Sequence, residues 1–261
     1  MKIQVLVAAM HQTDDSLVEK MNLKTDAIIG NQCDRNSVES FERDGKKITY
    51  LNFAERGVGL NRNNALMRAD ADVCLFADDD MIYCDDYPQV VAKAFEENPK
   101  ADVIVFNLIE KNKKRYVIEK KTKVKWHNYL RYGTARVAVR LRSVKDNAIY
   151  FNQCFGGGTE HCHGEDNLFL TACLKNKLKI VAVPYSIAEL TEERESTWEC
   201  GYNEKYIVDQ GFLYRAISRR WWKLLCLQDI VRHKNLYGMP IGKAYKMMTS
   251  LQLDVSGEAR N

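Results

Sequence analysis

Short apolar runs alternate with helix-like stretches along the first 110 residues. KIQVLVA (2–8) is rich in β-branched residues and reads as a strand, with DAIIG (26–30) and KKITYLNF (46–53) as the next two. GVGLNRNNALMRA (57–69) turns helical after its glycines, and DVCLFA (72–77) is apolar enough for a buried strand. YPQVVAKAFEEN (87–98) reads as a helix with Pro88 near its start. ADVIVFNLI (101–109) completes a β-α-β alternation, which favours an α/β fold with a mostly parallel sheet flanked by helices.

The pattern then changes. Residues 110–150 are more polar and basic (EKNKKRYVIEKKTKVK), which predicts strands or a hairpin plus a short helix around WHNYLRYG. GEDNLFLTACLKN (164–176) predicts a helix with an acidic first turn, and KIVAVPY (179–185) a strand. There is no internal repeat and no low-complexity linker. Near 203–211 a basic, aromatic tail begins.

Composition narrows this little. A chain of 261 residues accommodates one α/β domain, alone or with an appendage, and 46% hydrophobic content supports a sizeable core. No window approaches the roughly 18–20 apolar residues of a membrane-spanning helix. MKIQVLVAAMHQTDDS reads as a first strand rather than a signal peptide, because no cleavage site follows its apolar run. The eight cysteines form no CxxC pair, so reduced thiols and a cytoplasmic location are expected. The net charge of +4 is uneven. Residues 211–250 hold eight Lys/Arg against one acid, Asp229, a balance of +7 that leaves −3 for the remainder.

The candidate chemistry starts at VCLFADDDMIYCDDYP (73–88). Asp78, Asp79 and Asp80 repel one another, so a positive partner is expected there. They follow a strand, at the sheet edge where open α/β folds bind their ligands. Carboxylates at i and i+2 in extended chain point the same way, which would aim Asp78 and Asp80 at one site. Oxygen ligands suit Mg²⁺ or Mn²⁺, and a solvated acidic loop or a Ca²⁺ site is the plain alternative. GED (164–166) adds two more carboxylates at a helix start, where complementing the helix dipole would alone be sufficient reason for them.

Strand–DDD at 78–80, GLNRNNAL at 59–66 and GEDNLF at 164–169 together resemble the family 2 glycosyltransferases of the GT-A fold, especially bacterial enzymes that build surface polysaccharides. The resemblance spans about residues 1–190. It implies a GT-A catalytic domain over 1–205, made of a nucleotide-binding half (1–110) and an acceptor-side half (111–205), with 206–261 as a basic helical extension. It implies metal-dependent, inverting transfer of a sugar from a nucleotide donor, a UDP-sugar, to a saccharide or lipid-linked saccharide. Asp80 is then the direct metal ligand, and Asp78 or Asp79 contacts the ribose or completes the metal shell. Asp166 is the catalytic base, and Glu165 orients the acceptor or the base. Asp34, in GNQCDRNS, is placed near the nucleotide base although this segment departs from the family's Asp-Asp-Gly-Ser pattern, and Arg62 is a contact for uracil or diphosphate.

Three segments stay open. His161, Cys162 and His163 are consecutive, a spacing that does not readily surround a tetrahedral zinc, so GGGTEHCHGED (156–166) is expected to be a flexible acceptor-side loop. Arg194 and Trp198 are contact candidates in a lid over the donor (191–206), against an ordinary surface loop. The tail over 211–250 suits either contact with an anionic membrane surface or packing on the catalytic domain, and no nucleic-acid motif accompanies its charge. The rival functions are a sugar nucleotidyltransferase and a non-catalytic membrane- or nucleic-acid-binding module, although neither a glycine-rich phosphate loop nor a P-loop is visible.

Overall fold

The computed structural model describes residues 1–110, 116–191 and 201–251. The chain forms β1 (Ile3–Met10), α1 (Ser16–Lys20), β2 (Asp26–Gln32), β3 (Ser37–Arg43), β4 (Lys46–Phe53), α2 (Val58–Arg68) and β5 (Val73–Asp78). It continues through β6 (Met81–Tyr83), α3 (Tyr87–Glu97), β7 (Val103–Ile109), β8 (Thr122–Val124), β9 (Val137–Arg140) and α4 (Leu141–Asp146). The remaining elements are α5 (Glu165–Lys175), β10 (Ile180–Leu190), α6 (Glu204–Ile217), α7 (Trp222–Tyr237) and α8 (Ile241–Ser250).

All ten strands join one mixed sheet in the order β3-β4-β2-β1-β5-β9-β7-β10-β6, with β8 also paired to β10. Strands β4, β2, β1 and β5 are parallel, as are β7 and β10, while β9 runs antiparallel between β5 and β7. In the register of β1 with β5, Ala8 lies opposite Asp78, which sets the aspartate triplet at the C-terminal edge of the parallel strands.

Alternation along the strands feeds two cores. Val5, Val7 and Ile29 face one side with Tyr87, Phe95 and Phe106, whereas Leu6, Ile28 and Leu51 face the other with Phe76, Phe151 and Phe169. On the second side Phe76 of β5 meets Phe151 edge-on at 5.0 Å, and Phe151 stacks on Phe169 of α5 at 4.4 Å. Phe76 is two residues from Asp78 and Phe169 three from Asp166, so this apolar contact fixes the spacing of the two acidic motifs.

The hairpin of β3 and β4 was not among the predicted elements. The polar run SVESFER conceals β3 because it is an edge strand with mostly solvated faces. Its turn, Asp44-Gly45, has φ of 51° and 70°, as a tight hairpin requires, and that dipeptide was a legible signal. The short helix expected around WHNYLRYG is a 3₁₀ turn at Tyr129–Arg131, followed by a second at Thr134–Arg136.

Helices α6, α7 and α8 pack on one another around Ile207, Leu213, Ile230 and Met248, and α6 leans on α5. Gly211 allows the closest approach, because a Cβ there would sit 2.1 Å from the Met248 carbonyl oxygen of α8. Backbone cannot yield as a flexible side chain does. Gly211→Ala is therefore expected to cost about 1–3 kcal/mol in chemical denaturation, the usual range for overpacking, while Gly242→Ala, with open space at its Cβ position, should not destabilise.

Candidate active site

Helix α2 starts at Gly57, whose φ of 119° lets the chain leave β4 sharply, and its N–H donates to Gln32 Oε1 at 2.8 Å. One turn on, Arg62 points beneath the sheet edge and is only 4% exposed. Its Nη2 donates to Asp78 Oδ1 at 2.7 Å, and its Nη1 donates to Glu165 Oε1 at 3.0 Å and to Asp166 Oδ1 at 3.1 Å. One guanidinium thus joins the aspartate triplet of β5 to the Gly-Glu-Asp start of α5. Burial pulls the Arg62 pKa down, but Asp78, Asp166 and Glu165 outweigh it and the pKa is raised.

The three adjacent aspartates separate in space. Asp78 meets Arg62, whereas Asp79 Oδ2 accepts from the Met10 N–H at 3.4 Å and from Gln12 Nε2 at 3.5 Å. The Asp80 carbonyl oxygen accepts from the N–H and the hydroxyl of Thr191, at 2.9 and 3.0 Å. Extended chain ends at Asp78, and Asp79 and Asp80 form a turn into β6. The side-by-side aim expected of i and i+2 residues in a strand therefore gives way to turn geometry.

Asp166 sits under Thr134, whose hydroxyl donates to its Oδ1. Desolvation, reinforced by Glu165 and Asp78 and opposed by Arg62, pushes its carboxyl up to about 7. The backbone is fitted to these acids, since a Cβ at Gly133 would lie 3.1 Å from Asp166 Oδ2 and one at Gly156 would lie 2.7 Å from the Glu165 carboxyl. Arg62 supplies one positive charge against three carboxylates, with Asp79 and Asp80 adjoining. That deficit, in a set of oxygen donors, fits a hard divalent cation such as Mg²⁺ or Mn²⁺, with Asp78 and Asp80 as the residues that could hold it.

Other predicted residues lie elsewhere. Asp34 is 91% exposed, 3.2 Å from Arg56 Nη2, and shares a cleft of about 260 Å³ with His11, Gln12, Thr13, Cys33 and Arg35. Trp198 and Arg194 fall outside the described residues. The loop before α5 is tied down: His161 Nδ1 lies 3.0 Å from Asp209 Oδ1, the Cys162 N–H donates to Asp209 Oδ2, and His163 Nε2 lies 2.7 Å from Gln210 Oε1. Cys162, His163 and Asp209 place potential metal-ligand atoms within 4.8 Å of one another. The Asp209 carboxylate is already engaged by that loop and by Lys205 Nζ at 2.8 Å, so it serves first as an anchor. Thr134 and Asp209 were not singled out in the sequence, where neither belongs to a motif.

The sequence profile described as glycosyl transferase family 2 matches residues 9–153. The chain belongs to this glycosyltransferase family. Its fold is the GT-A fold, seen also in the crystal structure of S. aureus TarS 1–349 in complex with UDP-GlcNAc. That structure is 16% identical at a TM-score of 0.63, with 96% of this chain and 91% of that chain covered. The structure of TarS 1–349 in complex with UDP is 19% identical at 0.62, with 98% and 76% covered. Among curated proteins there is no match. The family match ends before α5, so Glu165 and Asp166 join this glycosyltransferase's site through geometry alone.

The raised carboxyl has a consequence for stability. Because Asp166 is held at about 7 in the fold, against its ordinary 3.8, the native state binds the proton more tightly than the unfolded chain does. Ionisation of Asp166 thus costs stability progressively as pH rises from about 4 to about 7. In thermal melts across pH 4–8, Asp166→Asn should gain on the wild-type enzyme over that window. Parallel curves would contradict the raised carboxyl.

Proposed function

We propose that this glycosyltransferase moves a sugar from a UDP-sugar to a hydroxyl of a saccharide or lipid-linked saccharide, with inversion, in polysaccharide assembly. The observation that carries this reading is the Arg62 cluster, which brings Asp78, Glu165 and Asp166 to one point at the C-terminal sheet edge. The binding of UDP-GlcNAc and UDP by TarS supports a uridine nucleotide as donor. We assign 1–205 to catalysis and 206–261 to an accessory extension that takes in most of α6.

Asp166 accepts the proton of the acceptor hydroxyl as its oxygen forms the new bond to the anomeric carbon and the bond to the diphosphate oxygen breaks. A base held at about 7 remains available at neutral pH and still takes up a proton readily. Glu165 and Thr134 orient that base. Arg62 is placed to stabilise negative charge on the donor side while limiting the rise in the Asp166 pKa. Mn²⁺ or Mg²⁺ held by Asp78 and Asp80 would neutralise the charge that develops on the departing diphosphate. Asp79 is held to the end of β1, from where it reaches the ribose side of the donor. Asp34, on the cleft beyond β2, faces the nucleotide base.

Two measurements test this. Calorimetric titration of UDP should show binding that needs Mn²⁺ and is lost in Asp80→Ala. In transfer assays with a UDP-sugar panel, Asp166→Asn should lower kcat by about 100-fold or more while leaving UDP affinity unchanged, since loss of a general base costs at least that much. Unchanged turnover in Asp166→Asn would remove it from the role of base.

A further inference from the structure

The basic tail sorts its residues by side in a way that its composition does not reveal. In α7, Cys226, Asp229 and Ile230 face inward against α6 and α8. At 100° per residue, Trp221, Leu224, Leu227 and Val231 share the opposite side, and they are 54%, 58%, 42% and 55% exposed. Singly exposed apolar residues are ordinary, but a row of four along one helix face is not.

Charge is sorted as well. Asp229, the only acid between 211 and 250, is turned inward and only 7% exposed. It accepts from the Tyr237 hydroxyl and lies 2.8 Å from His233 Nδ1. The segment's negative charge is therefore spent inside the helical group. Arg219, Arg220, Lys223, Arg232 and Lys234 are all exposed and have no ion-pair partner among the described residues. The Arg220 guanidinium lies 5.0 Å from the centre of the Trp221 ring, and the Lys223 ammonium 5.6 Å from that of Trp222.

We infer that the outer face of α7 docks on the headgroup region of an anionic lipid bilayer. Its apolar row reaches the acyl boundary, and its cations stay among the lipid phosphates. Aromatic and basic side chains together are the usual composition of a helix lying in that interface. Each cation near such a surface adds attraction that salt screens. A second copy of the chain fits less well, because two faces of like charge would meet. Nucleic acid would leave the Leu224–Leu227–Val231 row without a partner. The inference gives a place of action to the lipid-linked acceptor proposed above and rests on that reading only for its purpose.

The test is flotation of the full chain with vesicles of phosphatidylcholine alone or with about 30% phosphatidylglycerol, alongside UDP titration of the same samples. The wild-type protein should float with the anionic vesicles about tenfold more than with the neutral ones, and high salt should release it. Leu224→Glu with Val231→Glu, and separately Lys223→Glu with Arg232→Glu, should abolish flotation while leaving UDP binding unchanged, because all four side chains are exposed. Equal partition onto both vesicle types, no flotation, or wild-type flotation of the Leu224→Glu, Val231→Glu variant would overturn the inference. So would a dimer in sedimentation that this variant dissolves, since the face would then belong to a second copy. Flotation without UDP binding would sink the donor assignment and leave the membrane surface standing.

Discussion

Arg62 sits where the two acidic motifs of this glycosyltransferase would otherwise repel each other. A guanidinium that is only 4% exposed has given up its hydration, and it persists because Asp78, Glu165 and Asp166 surround it with charge-assisted hydrogen bonds of 2.7–3.1 Å. Its planar fork lets two nitrogens serve three carboxylates, which the point charge of a lysine does not reproduce. The electrostatic balance remains negative, and with desolvation as the larger cause the Asp166 carboxyl shifts upward into the neutral range. One interaction therefore holds Asp166 in place and limits the rise of its carboxyl.

The remaining architecture keeps this cluster assembled. The parallel strands β4, β2, β1 and β5 bring their C-terminal ends to one edge, and α2 returns beneath that edge to present Arg62. The Phe76–Phe151–Phe169 stack sets the distance between β5 and α5. From the other side, α6 grips the loop that leads into α5: Asp209 accepts the Cys162 N–H and pairs with His161, and Gln210 pairs with His163. The C-terminal helices are thus coupled to the start of α5, and they also carry the cationic, apolar face of α7.

Much of the fold was legible from periodicity. The runs at 46–53 and 87–98 coincide with β4 and α3 to within a residue, because a half-buried strand and an amphipathic helix impose different repeats on the same apolar residues. The strand over 37–43 was not predicted, since an edge strand solvated on most of its faces has no apolar alternation to display. The loop over 156–166 was expected to be flexible on the acceptor side, and in the structure its Gly156 clears space for Val58 and Glu165, a packing demand that spacing along the chain does not express.

The amino-acid sequence by itself determined the alternation of strands and helices, the position of the aspartate triplet at a strand end and of Gly-Glu-Asp at a helix start, and the concentration of positive charge in the tail. These properties are local, and each follows from a few neighbouring side chains and the backbone geometry they favour. Only the tertiary structure decided which groups meet. Arg62 and Glu165 are 103 residues apart, and His161 and Asp209 are 48 apart. Such pairs are set by the strand order and the helix packing, which bring distant segments to one sheet edge. The same packing turned Asp229 inward and left the cations of α7 facing out. Composition along one dimension has no direction in space, so it could show an excess of charge but not the side that would carry it.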